Sequence, residues 1–376
     1  TAELATAMPR SGGAYFHVSR TFGEFAGLLV GVAQSAGLLF ASAFYLVAFA
    51  GYLLDLLGDV VPAAAIMPAV IACTAALLLM LVNLVGSSES GRLQFGIVLL
   101  LVVLLGVVFG FGLLQATGIV GERPPQPEFM PFGTLPVFTT AAFVFTSFLG
   151  FVQIATVAGE VRKPSRTLPL ALIGSVVIVT LLYVVALFVT TTMLSADRLA
   201  ESGSKATTEL GRVLFGEAGK LLILAAGLLA TVSSANASIL SSSRTLFALG
   251  RDQLTPAWTA RVSVRWGTPY ASVIFAGAAV AALTFIGDLK TLAETASVLH
   301  LLIYALICMA LLQNRRSRSA DYEPTFCVPA AKAVATTGAV CCLGLLAFME
   351  KNALLIGASI LLLIIGWHLL RSARDE

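Results

Sequence analysis

Charge is what this chain has least of. Only 11% of its 376 residues are charged, against about 25% in a typical soluble domain. Apolar residues make up 58%, and mean hydropathy is +0.94. So few charges cannot cover that much apolar surface in water, which excludes soluble, disordered, collagen-like and disulfide-framework classes. Histidine is also scarce, with three in all. His17 lies in a loop, His368 near a helix end, and only His300 well inside an apolar run, where a lone ring reads as packing. No H-E-x-x-H, G-x-S-x-G or paired aspartates occur in the apolar runs. These gaps argue against an enzyme and against a charge-lined pore. The five cysteines, at 73, 308, 327, 341 and 342, make no C-x-x-C pair and read as inert thiols. Net charge is +3, which suggests no nucleic-acid partner. The N-terminal stretch TAELATAMPRSGG has no basic n-region or h-region, so it is not a signal peptide; it looks like the tail of an apolar helix.

What the chain has is ten apolar runs long enough to span a bilayer: about 22–54, 63–85, 91–118, 135–158, 168–194, 219–248, 269–287, 291–312, 330–349 and 352–370. They lack the ten-residue alternation of a barrel, so they are predicted to be helices. The expected class is an all-α polytopic membrane protein surrounded by lipid. Placing the 1–21 loop on the cytoplasmic side puts Arg123, Arg198, Lys205, Arg212, Lys220, Lys290 and Lys351 outside. The other sixteen of the 23 Lys and Arg fall inside, and the C-terminus is cytoplasmic. The outside loop 195–218 reads as a short helical lid or a solvated connector. In the inside loop 249–268, Leu254, Trp258 and Val262 at i, i+4, i+8 suit an interfacial helix. Glu294 is placed at the outer start of its helix, where an acid suits the dipole.

Three runs carry mid-span polar residues. Run 22–54 holds Gln34, Ser35, Ser42 and Tyr45, with Gln34, Ala41 or Ser42, and Tyr45 close to one face. Run 219–248 holds Thr231, Ser233, Ser234, Asn236, Ser238 and Ser241 to Ser243. Such residues serve helix packing, or a site for a small zwitterion or dehydrated cation. In run 135–158, Thr146 and Ser147 precede Phe148, Leu149 and Gly150 near the middle. Glycine there lets a helix unwind and free backbone groups to bind a ligand, or lets a neighbour pack closely.

Several segments resemble the amino acid–polyamine–organocation permeases. They are AELATAMPRSGGAYFHVSRTFG, NLVGSSESGRLQ, SFLGFVQIATVAGEVRKPSRTLPLAL, SSANASILSSSRTLFALGRDQLTP with the later GTPYAS, and YEPTFCVP. The resemblance implies an inverted repeat of two five-helix units followed by two extra helices, in one transmembrane permease domain over 1–376. Residues 1–21 would be the end of family helix two and a link, 22–118 the rest of the first repeat, 135–312 the second, and 330–370 the two accessory helices. On this reading helix one and most of helix two are lacking, so the fold is N-terminally truncated.

The resemblance also implies a secondary transporter of amino acids or related amines in the cell membrane, working by alternating access; a non-transporting scaffold or membrane-enzyme subunit is the rival. It places the helix-six break on Thr146, Ser147, Phe148, Leu149 and Gly150, and helix-three pocket positions on Ser42 and Tyr45. Asn236 and Ser238 follow on helix eight. Ser233 and Ser234 fall where sodium-coupled relatives hold an ion; no cofactor is expected beyond such a coupling sodium. Glu160 and Arg244 are expected to pair at an inner gate. Val152 and Gln153 stand where many members have Glu, and Leu101 is nearest to a helix-five Lys, which puts a proton relay in doubt. With no acidic residue at midplane, and with Phe145, Phe148, Phe151 and Tyr45 as walls, a neutral amino acid is favoured.

Overall fold

The computed structural model describes residues 1–8, 12–58, 67–85, 90–122, 124, 133–156, 158, 161, 163–286, 288–317 and 322–375. Two short helices come first, α1 (Ala2–Ala7) and α2 (Ala14–Phe22). The expected runs follow as α3 (Glu24–Leu57), α4 (Met67–Val85), α5 (Ser90–Ala116), and an interrupted helix made of α6 (Leu135–Val144), a 3-10 stretch and α7 (Gln153–Thr156). Then come α8 (Pro164–Met193), α9 (Ala196–Ser202), α10 (Ala206–Arg251), α11 (Tyr270–Ile286), α12 (Leu289–Ser317), α13 (Ala331–Leu346) and α14 (Lys351–Asp375). Eight of these spans are long and apolar enough to cross a membrane, and α11 and α13 are shorter apolar helices. No strand occurs among the described residues. In lipid a helix satisfies its own backbone, so hydropathy alone dictates the elements.

Side-chain polarity decides which helices sit inside. In the most apolar window of α12, 72% of residues are buried, against 11% in α8, where Leu170, Val177, Leu181, Val184 and Leu187 face outward. The long helix α3 lies at the centre, packed on α10 and α12. Its seam with α10 is a serine zipper. Ser42 Oγ donates to the Ala235 carbonyl at 3.2 Å, and Ser242 Oγ to the Ser35 carbonyl at 3.1 Å. The antiparallel steps of seven residues explain the polar spacing seen in both runs. Gly31 completes the seam, since a Cβ there would lie 2.7 Å from Leu249.

Four polar pairs join loops that the alternating topology puts on one side. Lys205 Nζ meets Asp55 Oδ1 at 2.7 Å, and Lys290 meets Glu350. At the other end Tyr15 donates to Asp252 at 2.7 Å, and Arg315 meets Glu3 at 2.7 Å.

The loops depart from expectation in places. Loop 195–218 is helical, with Ser195 capping α9 and α10 starting at Ala206. A left-handed Gly216 (φ 64°) bends α10 there, and Leu210 and Leu214 pack on Phe109 and Val189. Segment 249–268 is not an interfacial α-helix. Gln253 is left-handed (φ 59°) and Pro256 lacks an amide proton, so only a 3-10 turn at Ala257–Ala260 forms. Leu254 is buried while Trp258 and Val262 are exposed. Glu294, expected to serve the dipole at the outer start of its helix, lies past the first turn of α12. It is buried and accepts the Glu350 N–H at 2.8 Å, holding the turn that leads into α14.

Candidate functional site: the interrupted helix and its cavity

The interruption falls where the Thr-Ser-x-x-Gly segment stands, but its form differs from an unwound helix. Residues Phe145–Val152 wind as 3-10, and the flanking Val144 (φ −64°, ψ −20°) and Gln153 (φ −61°, ψ −28°) remain right-handed. A 3-10 turn repeats every three residues, so side chains at i and i+3 share a face. This rule sorts the segment. Thr146 and Leu149 form a buried face, Ser147 and Gly150 an exposed one, and Phe145, Phe148 and Phe151 a half-buried aromatic one.

The buried face is fastened to α12. Thr146 Oγ1 lies 3.0 Å from the carbonyls of Phe143 and Ala293 and 2.5 Å from Ser297 Oγ. The Tyr304 hydroxyl donates to the Leu149 carbonyl at 3.3 Å. Leu149 packs with Ala41 and Ala296, with Tyr45 beside them. Phe145 and Phe151 lie against the Tyr304 ring at 5.5 and 5.1 Å.

The exposed face opens on a cavity of about 260 Å³ shared with α8. Ser147, Phe148, Gly150, Phe151 and Ile154 line one wall, and Ser175, Val176, Val179 and Tyr183 the other. None is charged. A Cβ at Gly150 would meet no atom within 4 Å, so this glycine keeps the cavity open and does not serve close packing. Phe148 and Tyr183 stand edge to face at 5.7 Å. Ser175 and Tyr183 were missed in the sequence; their i, i+4, i+8 spacing with Val179 is the signal that could have found them.

The other anticipated residues are not gathered at this cavity. Ser42 belongs to the α3–α10 zipper. Residues on α10 point to different neighbours: Ser233 Oγ accepts from Gln94 Nε2 of α5, and Asn236 Oδ1 from Asn83 Nδ2 of α4 at 2.7 Å. Ser238 is buried, and Ser234 and Arg244 are half-buried on the same helix. Glu160 lies outside the described residues. His300 is a packing residue: its Nδ1 is 2.9 Å from the Ala296 carbonyl, and its ring fills the space left by Gly37. All five cysteines are unpaired. Among the described residues, no three His, Cys, Asp or Glu side chains converge so that they could hold a metal ion.

A multi-pass helical membrane protein with an interrupted helix beside an uncharged cavity has the build of a small-molecule carrier. Residues 1–370 match the family described as amino acid permease, and the chain belongs to that family. It is similar to the "Methylthioribose transporter" of Bacillus subtilis (27% identity; 91% of this chain, 75% of that one). It is also similar to "Cationic amino acid transporter 6, chloroplastic" of Arabidopsis thaliana (24%; 83% and 56%) and to the "Serine/threonine exchanger SteT" of B. subtilis (24%; 87% and 74%). The chain thus spans just over half the length of the Arabidopsis relative. These names are of transporters, not enzymes.

Proposed function

We propose that the protein carries an amino acid with an uncharged side chain across the cell membrane by alternating access. The observation that carries this reading is the cavity at the 3-10 interruption. Its volume suits one small zwitterion, its nine lining residues are uncharged, and Gly150 leaves it open. A carboxylate would be needed to hold a cationic side chain cheaply out of water, and none lines the wall. The lysine and arginine distribution supports a cytoplasmic 1–21 link and C-terminus. Coupling to sodium at Ser233 and Ser234, and an inner gate of Glu160 and Arg244, belong to the same reading. Ser233 would have to release Gln94 to bind an ion.

The test is thiol protection in the full-length protein. Gly150→Cys, in a background with the native cysteines changed to serine, reacts with a small thiol reagent. Neutral amino acids should slow the reaction in a saturable way and lysine should not. Equal reactivity with and without every amino acid tried would overturn the site.

A further inference from the structure

Among the described residues, the most completely bonded carboxylate is away from the cavity. Glu3, on α1, is wholly buried. Its Oε1 accepts from Arg315 Nε at 2.7 Å and from the Tyr322 hydroxyl at 2.5 Å. Its Oε2 accepts from Arg315 Nη2 and from the Val328 N–H, both at 2.7 Å. Arg315 Nη2 also donates to the Val328 carbonyl at 3.1 Å. Burial raises the Glu3 carboxyl pKa, but hydrogen bonds from Arg315, Tyr322 and Val328 outweigh it and hold the group below its usual 4.5. It is a carboxylate with four donors, gripped bidentately.

Packing alone does not call for this charge. The apolar side of α1 seats Ala2 and Ala5 against Ala158, Leu168 and Leu172, with Phe151 and Ile154 of the interrupted helix close by. Across from it, Arg315 ends α12, which is seated on α3. Glu3 therefore stands at a joint between α8 with the interrupted helix and α12 with α3. The grips across this joint share one face of α12. Ser297, Tyr304 and Arg315 are spaced by seven and eleven residues, which brings them to the same side of a helix. Ser297 holds Thr146 and Tyr304 holds Leu149, both by neutral bonds next to the cavity. Arg315 supplies the charged grip at the far end.

We propose that Glu3 and Arg315 are positioning residues of transport: their ion pair clamps α1, with the helices packed on it, against α12, and opening the Arg315 side requires its release. The inference rests on the transport reading above. A charged pair suits the task because its strength depends on burial. Closed, the Glu3 carboxylate is dry while the Arg315 side chain reaches the surface; once water reaches Glu3, the attraction falls steeply, so the joint has two states.

The test uses the full-length protein with native cysteines changed to serine and Leu4→Cys as reporter, since Leu4 is wholly buried on the side of α1 that meets α3 and α12. A membrane-impermeant thiol reagent is applied from the Arg315 side of oriented vesicles. Glu3→Gln and Arg315→Gln should each speed labelling about tenfold and slow amino-acid exchange, with substrate affinity within about twofold of the parent. Arg315→Gln also strands the buried Glu3 carboxylate and should lower the melting temperature, whereas Glu3→Gln leaves an Arg315 side chain that is 31% exposed and open to water. The double change, Glu3→Gln with Arg315→Gln, strands none. Its melting temperature should recover while labelling stays fast. Unchanged labelling in the folded single variants would overturn the clamp. So would a double variant in which labelling returns to the parental rate along with stability. The labelling arms need no substrate, so a parent that carries no amino acid sinks the transport reading and still leaves the clamp decided.

Discussion

Thr146 and Ser297 offer a hydrogen bond whose removal can be worked through atom by atom. Thr146→Val keeps the branched shape and deletes only the hydroxyl. Thr146 has one proton and three acceptors in reach, at 3.0, 3.0 and 2.5 Å. Ser297 keeps the Ala293 carbonyl at 3.0 Å after the change, so no polar group is orphaned. The loss is then the net worth of a hydrogen bond between membrane helices, about 0.6 kcal/mol on average and up to ~1.7 kcal/mol, and not a desolvation penalty. Because the site is dry, the upper half of that range is expected, about 1 kcal/mol. That shifts an equilibrium between attached and detached break about fivefold. Ser297→Ala should cost about the same, and the double variant no more than either, because both remove one bond. The assays are unfolding in detergent and the initial rate of amino-acid uptake. Additive losses, or a Thr146→Val protein indistinguishable from wild type in both, would refute the fastening of the break to α12.

Three further outcomes are expected. Gly150→Leu should cut uptake at least tenfold or so while leaving insertion and melting temperature unharmed, because its side chain enters the cavity and glycine costs ~1 kcal/mol in a helix; normal uptake by a well-folded variant counts against the cavity. His17 is buried with both ring nitrogens unpartnered, and burial pulls its pKa down to about 3. Its neutral form thus stabilises the fold above the usual 6.5, and that stability is lost as pH falls from 6.5 toward 3, by about 2 kcal/mol at pH 5. His17→Leu should flatten the difference in melting temperature between pH 7 and pH 5; an unchanged slope excludes the histidine as its source. Initial uptake should fall when sodium is replaced by choline, and Ser233→Ala should remove the dependence; indifference of the wild type to sodium ends that idea.

Membrane helices declare themselves one by one, so their number and order could be read before any contact was known. Loops 195–218 and 249–268 show where such reading weakens. The first mixes helix formers with glycines and folds as helices that break at Gly203 and bend at Gly216; the second has a helical spacing that the left-handed Gln253 and Pro256 override. At the interruption, the sequence marks the place through Gly150 but not the geometry, since tight 3-10 winding and unwinding both begin with a poor helix residue. The serines of α10 illustrate the harder problem. Ser233, Asn236 and Ser242 look alike in the sequence, yet they meet α5, α4 and α3 in turn, because direction around a helix matters only once neighbours are placed. Glu3 and Arg315 lie 312 residues apart, and nothing local in either segment names the other.

The measurement that tests the central claim most directly is counterflow. Full-length protein in liposomes loaded with an unlabelled neutral amino acid should take up the labelled one faster than empty liposomes do, and transiently above equilibrium. A carrier that presents one site alternately to each side behaves this way. Equal uptake with and without internal amino acid, across a panel of neutral amino acids, would contradict it.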